Sequence, residues 1–237
     1  VLVATSGDTG GAVASGFLGI KGVNVVILYP SGKVSKIQEK QLTTLDKNIY
    51  ALEINGTFDD CQNLVKNAFL DNELRTQIEL SSANSINIAR LIPQSFYYFN
   101  AYAKLDTNKK VVVSVPSGNF GNITAGILAK YMGLPIKHFI ASTNQNKTVP
   151  DFLLTNRYEP QKSITTISNA MDVGDPSNMK RIMDIYENTK SLTKELSSWS
   201  FSDDKTKECI LKTLKKYDYL MDPHSSVGLL GLKKYLN

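Results

Sequence analysis

The chain has 237 residues, with 27 Lys and Arg against 22 Asp and Glu, a net charge of +5, two His and two Cys. The basic excess is small and spread along the chain, which argues against nucleic-acid binding, whose electrostatic footprint is a clustered patch. Two distant cysteines, Cys61 and Cys209, exclude a disulfide framework and a zinc cluster, so no metal site is expected, and no run approaches the ~20 apolar residues that span a bilayer.

Val1, Leu2, Val3 and Ala4 read as a strand already inside a sheet. With no initiator Met at the start and a helical pattern running up to Asn237, the chain reads as a segment of a longer protein. Short β-branched runs predict further strands at 23–29, 49–54, 111–115 and 138–142. Thr57 and Asp60 form a capping-box start for a helix over 58–70, with Phe58, Cys61, Leu64, Val65, Ala68 and Phe69 on one face. A long helical stretch follows over 91–105. Met179, Ile182, Met183 and Tyr186 share a second face, and Ile210, Leu211, Leu214 and Tyr217 a third. Strands alternating with helices predict an α/β fold with a mostly parallel sheet. A domain boundary is expected near residue 88. Residues 1–88 would form a smaller, mobile α/β domain and residues 89–237 part of a larger one, with the ligand site between them.

In open α/β sheets ligands sit beyond the carboxyl ends of strands, where N–H groups at helix N-termini attract anions. The chain offers that pattern twice. The first strand feeds Thr5-Ser6-Gly7-Asp8-Thr9-Gly10-Gly11 and then a small-residue helix start. The strand at 111–115 feeds Pro116-Ser117-Gly118-Asn119-Phe120-Gly121-Asn122 and then a helix from Ile123. Glycine lets the backbone approach a ligand closely and adopt φ > 0, and the hydroxyls of Thr5, Ser6, Thr9 and Ser117 add donors. Either turn alone could be a plain connector capped by Ser or Asn. A third candidate is the run from Ser81 to Arg90, where Asn84 and Ser85 would sit at a helix start with the Arg90 guanidinium nearby.

Other signals are weaker. No Gly-x-Gly-x-x-Gly helix start, Gly-Lys-Ser/Thr loop or Gly-x-Ser-x-Gly elbow occurs. His138 reads as a structural residue of a strand, and His224 as a residue that follows a strand end. Cys61, Tyr97, Tyr98, Phe99 and Trp199 read as packing. Lys33 and Lys36 read as solvated surface charge.

Four separated motifs, in order, resemble the threonine synthase family of fold-type-II (tryptophan synthase β-like) pyridoxal-phosphate enzymes. They are Thr5-Ser6-Gly7-Asp8-Thr9-Gly10, Ser82-Ala83-Asn84-Ser85-Ile86-Asn87-Ile88-Ala89-Arg90, Pro116-Ser117-Gly118-Asn119-Phe120-Gly121 and Ser168-Asn169-Ala170-Met171-Asp172-Val173. Gln38-Glu39-Lys40 and Thr148-Val149-Pro150 match as well. The resemblance implies mostly parallel sheets with helices on both faces, and pyridoxal 5′-phosphate as cofactor. It places Asp8, Ser117, Gly118, Asn119, Phe120, Gly121 and Asn122 at that cofactor, with Asp8 beside the pyridoxal 3′-oxygen. It places Ser6, Gly7, Thr9, Asn84, Ser85 and Arg90 at the substrate, O-phospho-L-homoserine, whose phosphate Asn84, Ser85 and Arg90 would grasp. The implied activity is that of a cytoplasmic carbon–oxygen lyase acting on a phosphate ester in threonine biosynthesis, with no nucleic-acid or membrane partner.

The family's Schiff-base lysine belongs to a Phe-Lys-Asp motif expected upstream of Val1, and no catalytic residue is assigned within the chain. The segment by itself would be inactive. The alternatives are another fold-type-II lyase, such as a serine/threonine dehydratase or a cysteine synthase, and a non-catalytic anion-binding module.

Overall fold

β1 (Leu2–Ala4), β2 (Val25–Pro30) and β3 (Ile49–Ile54) lie side by side in that order, all parallel. The structure is a computed structural model that describes residues 1–5, 7–84, 87–105 and 109–237. It divides into two units, Val1–Asn87 and Ile88–Asn237.

In the first unit the connections are helical: α1 (Asp8–Phe17), α2 (Lys36–Thr43), α3 (Phe58–Leu70) and α4 (Asn72–Gln77). Side chains alternate across a strand, so the sheet builds a core on each face. Val3, Val25 and Ile27 pack with Ala14 of α1 and Leu42 of α2, while Ala4 and Leu28 pack with Cys61 and Val65 of α3. The Thr57–Asp60 capping box is formed in both halves. Leu64, expected on the buried face of α3, is 45% exposed. After α4 the chain returns to the open side of β1, where Leu2 N–H donates to the Ser81 carbonyl at 2.8 Å and Leu2 bridges Ser82. β1 therefore has β2 on one side and the Ser82 segment on the other, and the winding of the chain reverses there.

The second unit opens with α5 (Ile88–Ala103) and holds a second parallel sheet of β4 (Val111–Pro116), β5 (Ile136–Thr143) and β6 (Leu196–Ser200), in that order. α6 (Gly121–Tyr131) joins β4 to β5. α7 (Thr148–Thr155), a 3₁₀ turn (Asn169–Met171), α8 (Met179–Ile185) and α9 (Thr189–Glu195) lead to β6, and α10 (Asp203–Tyr217) and α11 (Pro223–Leu236) follow. Phe139 and Ala141 of β5 face a core that contains Tyr98, Ile123, Ile127, Met179 and Ile182. α11 meets this sheet at small residues: the Gly228 carbonyl accepts from Ser114 Oγ of β4 at 2.6 Å, and a side chain on Gly231 would fall on Ser142 of β5.

Other sequence expectations are also corrected. β6 was not expected, because Leu196-Ser-Ser-Trp-Ser carries no apolar run; pairing with β5 makes it a strand. The buried face of α10 is Thr206, Cys209 and Thr213, whereas Leu211 and Tyr217 are exposed. His224 follows no strand. It lies in the first turn of α11, where Asp222 caps the helix through the N–H groups of His224 and Ser225.

Candidate active site

The turn after β1 is organised from inside. Thr5 is buried, and its Oγ1 accepts from the N–H groups of Gly7 and Gly10, both at 2.9 Å, while donating to the Gly7 carbonyl. The hydroxyl that the sequence suggests as a ligand donor is thus spent on shaping the turn. Gly7 sits at φ 144°, the region that favours glycine. A Cβ there would run into the side-chain amide of Gln38, 2.5 Å from its Cδ. Gln38 completes the capping box of α2 with Ser35 and also donates from Nε2 to Asp8 Oδ1 at 2.8 Å. Asp8 is exposed and Thr9 half-buried. A hollow of about 430 Å³ opens beside this turn onto Asp8, Gly11, Ser15 and Gln41.

Asn84 stands next to the same turn, with its side chain engaged on the backbone of β1. Its side chain is buried and pairs like a strand with β1: Oδ1 accepts from Ala4 N–H at 2.8 Å and Nδ2 donates to the Ala4 carbonyl at 2.7 Å. It ties Asn84 to the carboxyl end of β1, the point where the winding reverses and where open α/β sheets bind ligands. Ser6 and Ser85 lie outside the described residues.

The turn after β4 rests on β5. Ser117 N–H donates to the Ser142 carbonyl at 2.8 Å and Ser117 Oγ to the Val115 carbonyl at 2.9 Å, so both Ser117 donors are engaged. The left-handed residue is Phe120, at φ 60°; neither Gly118 nor Gly121 has φ in that region, against expectation. Gly118 is required by close approach instead. A Cβ there would lie 2.7 Å from Met171 Cα and 2.9 Å from the Ala170 carbonyl. α6 begins at Gly121 with no side-chain cap, whereas α2, α3 and α10 are capped by Ser35, Thr57 and Ser202. The first-turn N–H groups of a helix have no partner within it, and here no capping side chain replaces one.

The segment from residue 166 to 178 braces this turn. Asn119 Oδ1 accepts from Ser177 N–H at 2.7 Å and from Ser177 Oγ at 2.9 Å, and the buried Asn178 donates to the Asn119 carbonyl at 2.9 Å. Asp172 accepts from Thr166 Oγ1 at 2.7 Å, Asn144 Nδ2 at 2.8 Å and Thr166 N–H at 2.9 Å. Burial pushes its carboxyl above the usual range, against the pull of the Thr166 and Asn144 hydrogen bonds. Tyr98 donates to Asn122 Oδ1 at 2.5 Å and fixes the side chain in the first turn of α6. A groove of about 400 Å³ between α5 and β4 is mostly apolar and touches the turn at Pro116 and Asn122. Arg90, in the first turn of α5, is half-buried, and burial lowers its guanidinium.

Sequence reasoning missed Gln38, Asn144, Thr166 and Asn178. Gln38 and Asp172 stood within matched motifs, but nothing local tied them to a turn.

Two parallel sheets, with β1 and β4 each leading through a glycine turn into a helix start without a side-chain cap, define an α/β protein with free main-chain donors of the kind that attract anions at those two strand ends. The chain belongs to the pyridoxal-phosphate dependent enzyme family, which it matches over residues 1–237. It is 51% identical to the threonine synthase of Buchnera aphidicola subsp. Acyrthosiphon pisum over 238 residues, covering 100% of this chain and 55% of that protein. The crystal structure of threonine synthase from Escherichia coli superposes with a TM-score of 0.94 at 49% identity, over 100% of this chain and 56% of that one. The pyridoxal-phosphate-bound threonine synthase of Brucella melitensis gives a TM-score of 0.87 at 37% identity, over 98% and 56%. The chain thus spans about half the length of the relatives it matches, and its fold is fold type II of these enzymes.

The residues present fit the family's cofactor. An 11-residue helix with an uncapped start, preceded by a turn in which Gly118 touches backbone, presents main-chain donors to a phosphate.

Proposed function

We propose that this chain carries the binding loops of a threonine synthase, which converts O-phospho-L-homoserine and water into L-threonine and phosphate. The observation that carries the reading is the pair of glycine turns with uncapped helix starts on a chain about 50% identical, along its whole length, to threonine synthases.

In this reading Gly118, Asn119, Phe120, Gly121 and Asn122 hold the phosphate of pyridoxal phosphate on main-chain N–H groups. Ser117 anchors the base of that loop, since its own donors are engaged. Asp8 stands beside the pyridoxal 3′-oxygen with its carboxylate oriented by Gln38. Ser6, Gly7 and Thr9 face the substrate. Asn84, Ser85 and Arg90 serve the substrate phosphate, with the Asn84 side chain anchored on the Ala4 backbone. The lysine that attaches the cofactor is assigned to a Phe-Lys-Asp motif outside these residues.

Pyridoxal phosphate, when bound, supplies an electron sink for the carbon that bears the substrate amino group. The chain supplies position. Arg90 stays protonated at any working pH, so it can balance the substrate phosphate both while attached and as it leaves. Anchoring the phosphate apart from the amino-acid end restricts the substrate to one orientation, the contribution that proximity makes to such reactions. Two free buried thiols suit a cytoplasmic protein, and no helix among the described residues is long and apolar enough to cross a membrane.

The test is product analysis with a polypeptide of the relatives' full length that carries this chain. Stoichiometric phosphate and L-threonine from O-phospho-L-homoserine support the assignment. Oxo acid and ammonia from serine or threonine, with the phosphorylated substrate untouched, would replace it with the dehydratase reading.

A further inference from the structure

Asp172 is a half-buried carboxylate whose resolved partners are neutral donors. Its Oδ1 accepts from Thr166 Oγ1, Asn144 Nδ2 and, at 3.3 Å, Asn146 Nδ2; its Oδ2 accepts from Thr166 N–H. Thr166 Oγ1 in turn accepts from Asn144 Nδ2 at 2.8 Å, so the protons run in one direction, from Asn144 through Thr166 to Asp172. Asn144 lies just beyond the end of β5, and Asp172 just beyond the 3₁₀ turn Asn169–Met171.

That turn lies against the loop after β4. Met171 Cα and the Ala170 carbonyl occupy the space where any side chain on Gly118 would go. The base of the loop is tied back to β5 through Ser117 N–H and the Ser142 carbonyl. The contacts close a ring: from β5 to Asn144, to Asp172, to Met171, to Gly118, to Ser117, and back to β5. A carboxylate in such a ring costs more to bury than an apolar residue of the same size. What it adds is direction, because two oxygens that only accept admit one arrangement of the donors around them.

We propose that Asp172 is a positioning residue that fixes the Gly118–Asn122 cradle at the geometry of the cofactor phosphate, acting through the Asn169–Met171 turn. This rests on the reading of residues 117–122 as the cofactor loop. Asp172→Asn keeps the volume but turns one oxygen into an NH₂ that must face a donor, Thr166 N–H on one side or Thr166 Oγ1 and Asn144 on the other. The turn then shifts, and the loss falls on the phosphate end of the cofactor rather than on its ring.

The experiment compares the binding of pyridoxal phosphate and of pyridoxal, which lacks the phosphate, to a polypeptide of the relatives' full length carrying this chain, followed by cofactor absorbance. The wild type prefers the phosphorylated form. In Asp172→Asn that preference falls on the order of tenfold, the consequence of disturbing one charge-assisted hydrogen bond, while affinity for pyridoxal changes little. Thr166→Val removes one donor to the carboxylate, shifts the preference in the same direction by less, and serves if Asp172→Asn does not fold. Gly118→Ala presses on the same contact from the loop side, so its effect is non-additive with Asp172→Asn. A preference reduced by Gly118→Ala and unaltered by Asp172→Asn and Thr166→Val overturns the positioning role and leaves the cofactor loop in place. A preference that none of the three moves, or that the wild type lacks, withdraws the cofactor-loop reading and the positioning role with it.

Discussion

The side-chain amide of Gln38 donates to the carboxylate of Asp8 at 2.8 Å and fills the space that any side chain on Gly7 would need. One residue in the first turn of α2 therefore does two things to the turn after β1, 30 positions earlier in the chain. It orients the carboxylate and requires glycine next to it.

Gly7→Ala meets this contact and a φ of 144° together. The loss expected is about 1–3 kcal/mol of strain, read as a lower urea midpoint with an unchanged slope. Adding Gln38→Ala relieves the collision but not the backbone, so the double variant recovers only part of the loss.

Asn84→Ala removes a reciprocal pair and strands both the N–H and the carbonyl of Ala4. At about 1–3 kcal/mol for a buried group left unpaired, destabilisation visible in thermal melts is expected. In a full-length enzyme KM for the phosphorylated substrate should follow the loosened turn. A variant with unaltered melting and a selectively raised KM would instead make Asn84 a direct ligand.

Arg90→Ala should remove a charge-assisted contact to the substrate phosphate while the cofactor stays bound. Such a bond contributes roughly 1.5–3 kcal/mol, and about 1.4 kcal/mol is a factor of ten. The expected fall in kcat/KM for O-phospho-L-homoserine is on the order of ten- to more than a hundredfold, with cofactor absorbance intact. Loss of the cofactor would make Arg90 a structural residue.

His138 carries a pH dependence of stability. Burial holds its imidazole below the ordinary value of 6.5, opposed by a hydrogen bond to the Lys194 backbone and by Glu195 and aided by Lys130 and Lys137; its ring accepts from or donates to Ser197 Oγ at 2.8 Å and stacks on Tyr235. The unfolded chain takes up a proton near the ordinary value that the folded site resists. Stability is therefore full above about pH 6.5 and is lost as pH falls from there toward the lower folded value. His138→Gln, neutral throughout, should flatten that part of the profile in urea titrations between about pH 5 and 7. An unchanged slope would assign the acid loss to other groups.

The α/β alternation, the two glycine turns, the Thr57–Asp60 cap and the motifs that place the chain in its family are legible in the residues alone. Each signal acts within a few positions: a strand alternates every second residue, a cap spans three, and a glycine turn is read at the strand's end. What the tertiary structure decided is which polar groups remain for a ligand. Asn84, expected to face a phosphate, is taken by Ala4, 80 residues away; Asp172 is held by Asn144, 28 residues earlier. The left-handed bend of the second turn fell on Phe120 rather than on a glycine, and Gly118 is there because Met171 comes to meet it. β6 and the Thr206–Cys209–Thr213 face of α10 likewise follow from their neighbours. A hydrogen-bonding side chain has the same composition whether its partner is water, a ligand or a distant strand, and only the packed chain brings that partner within 3 Å.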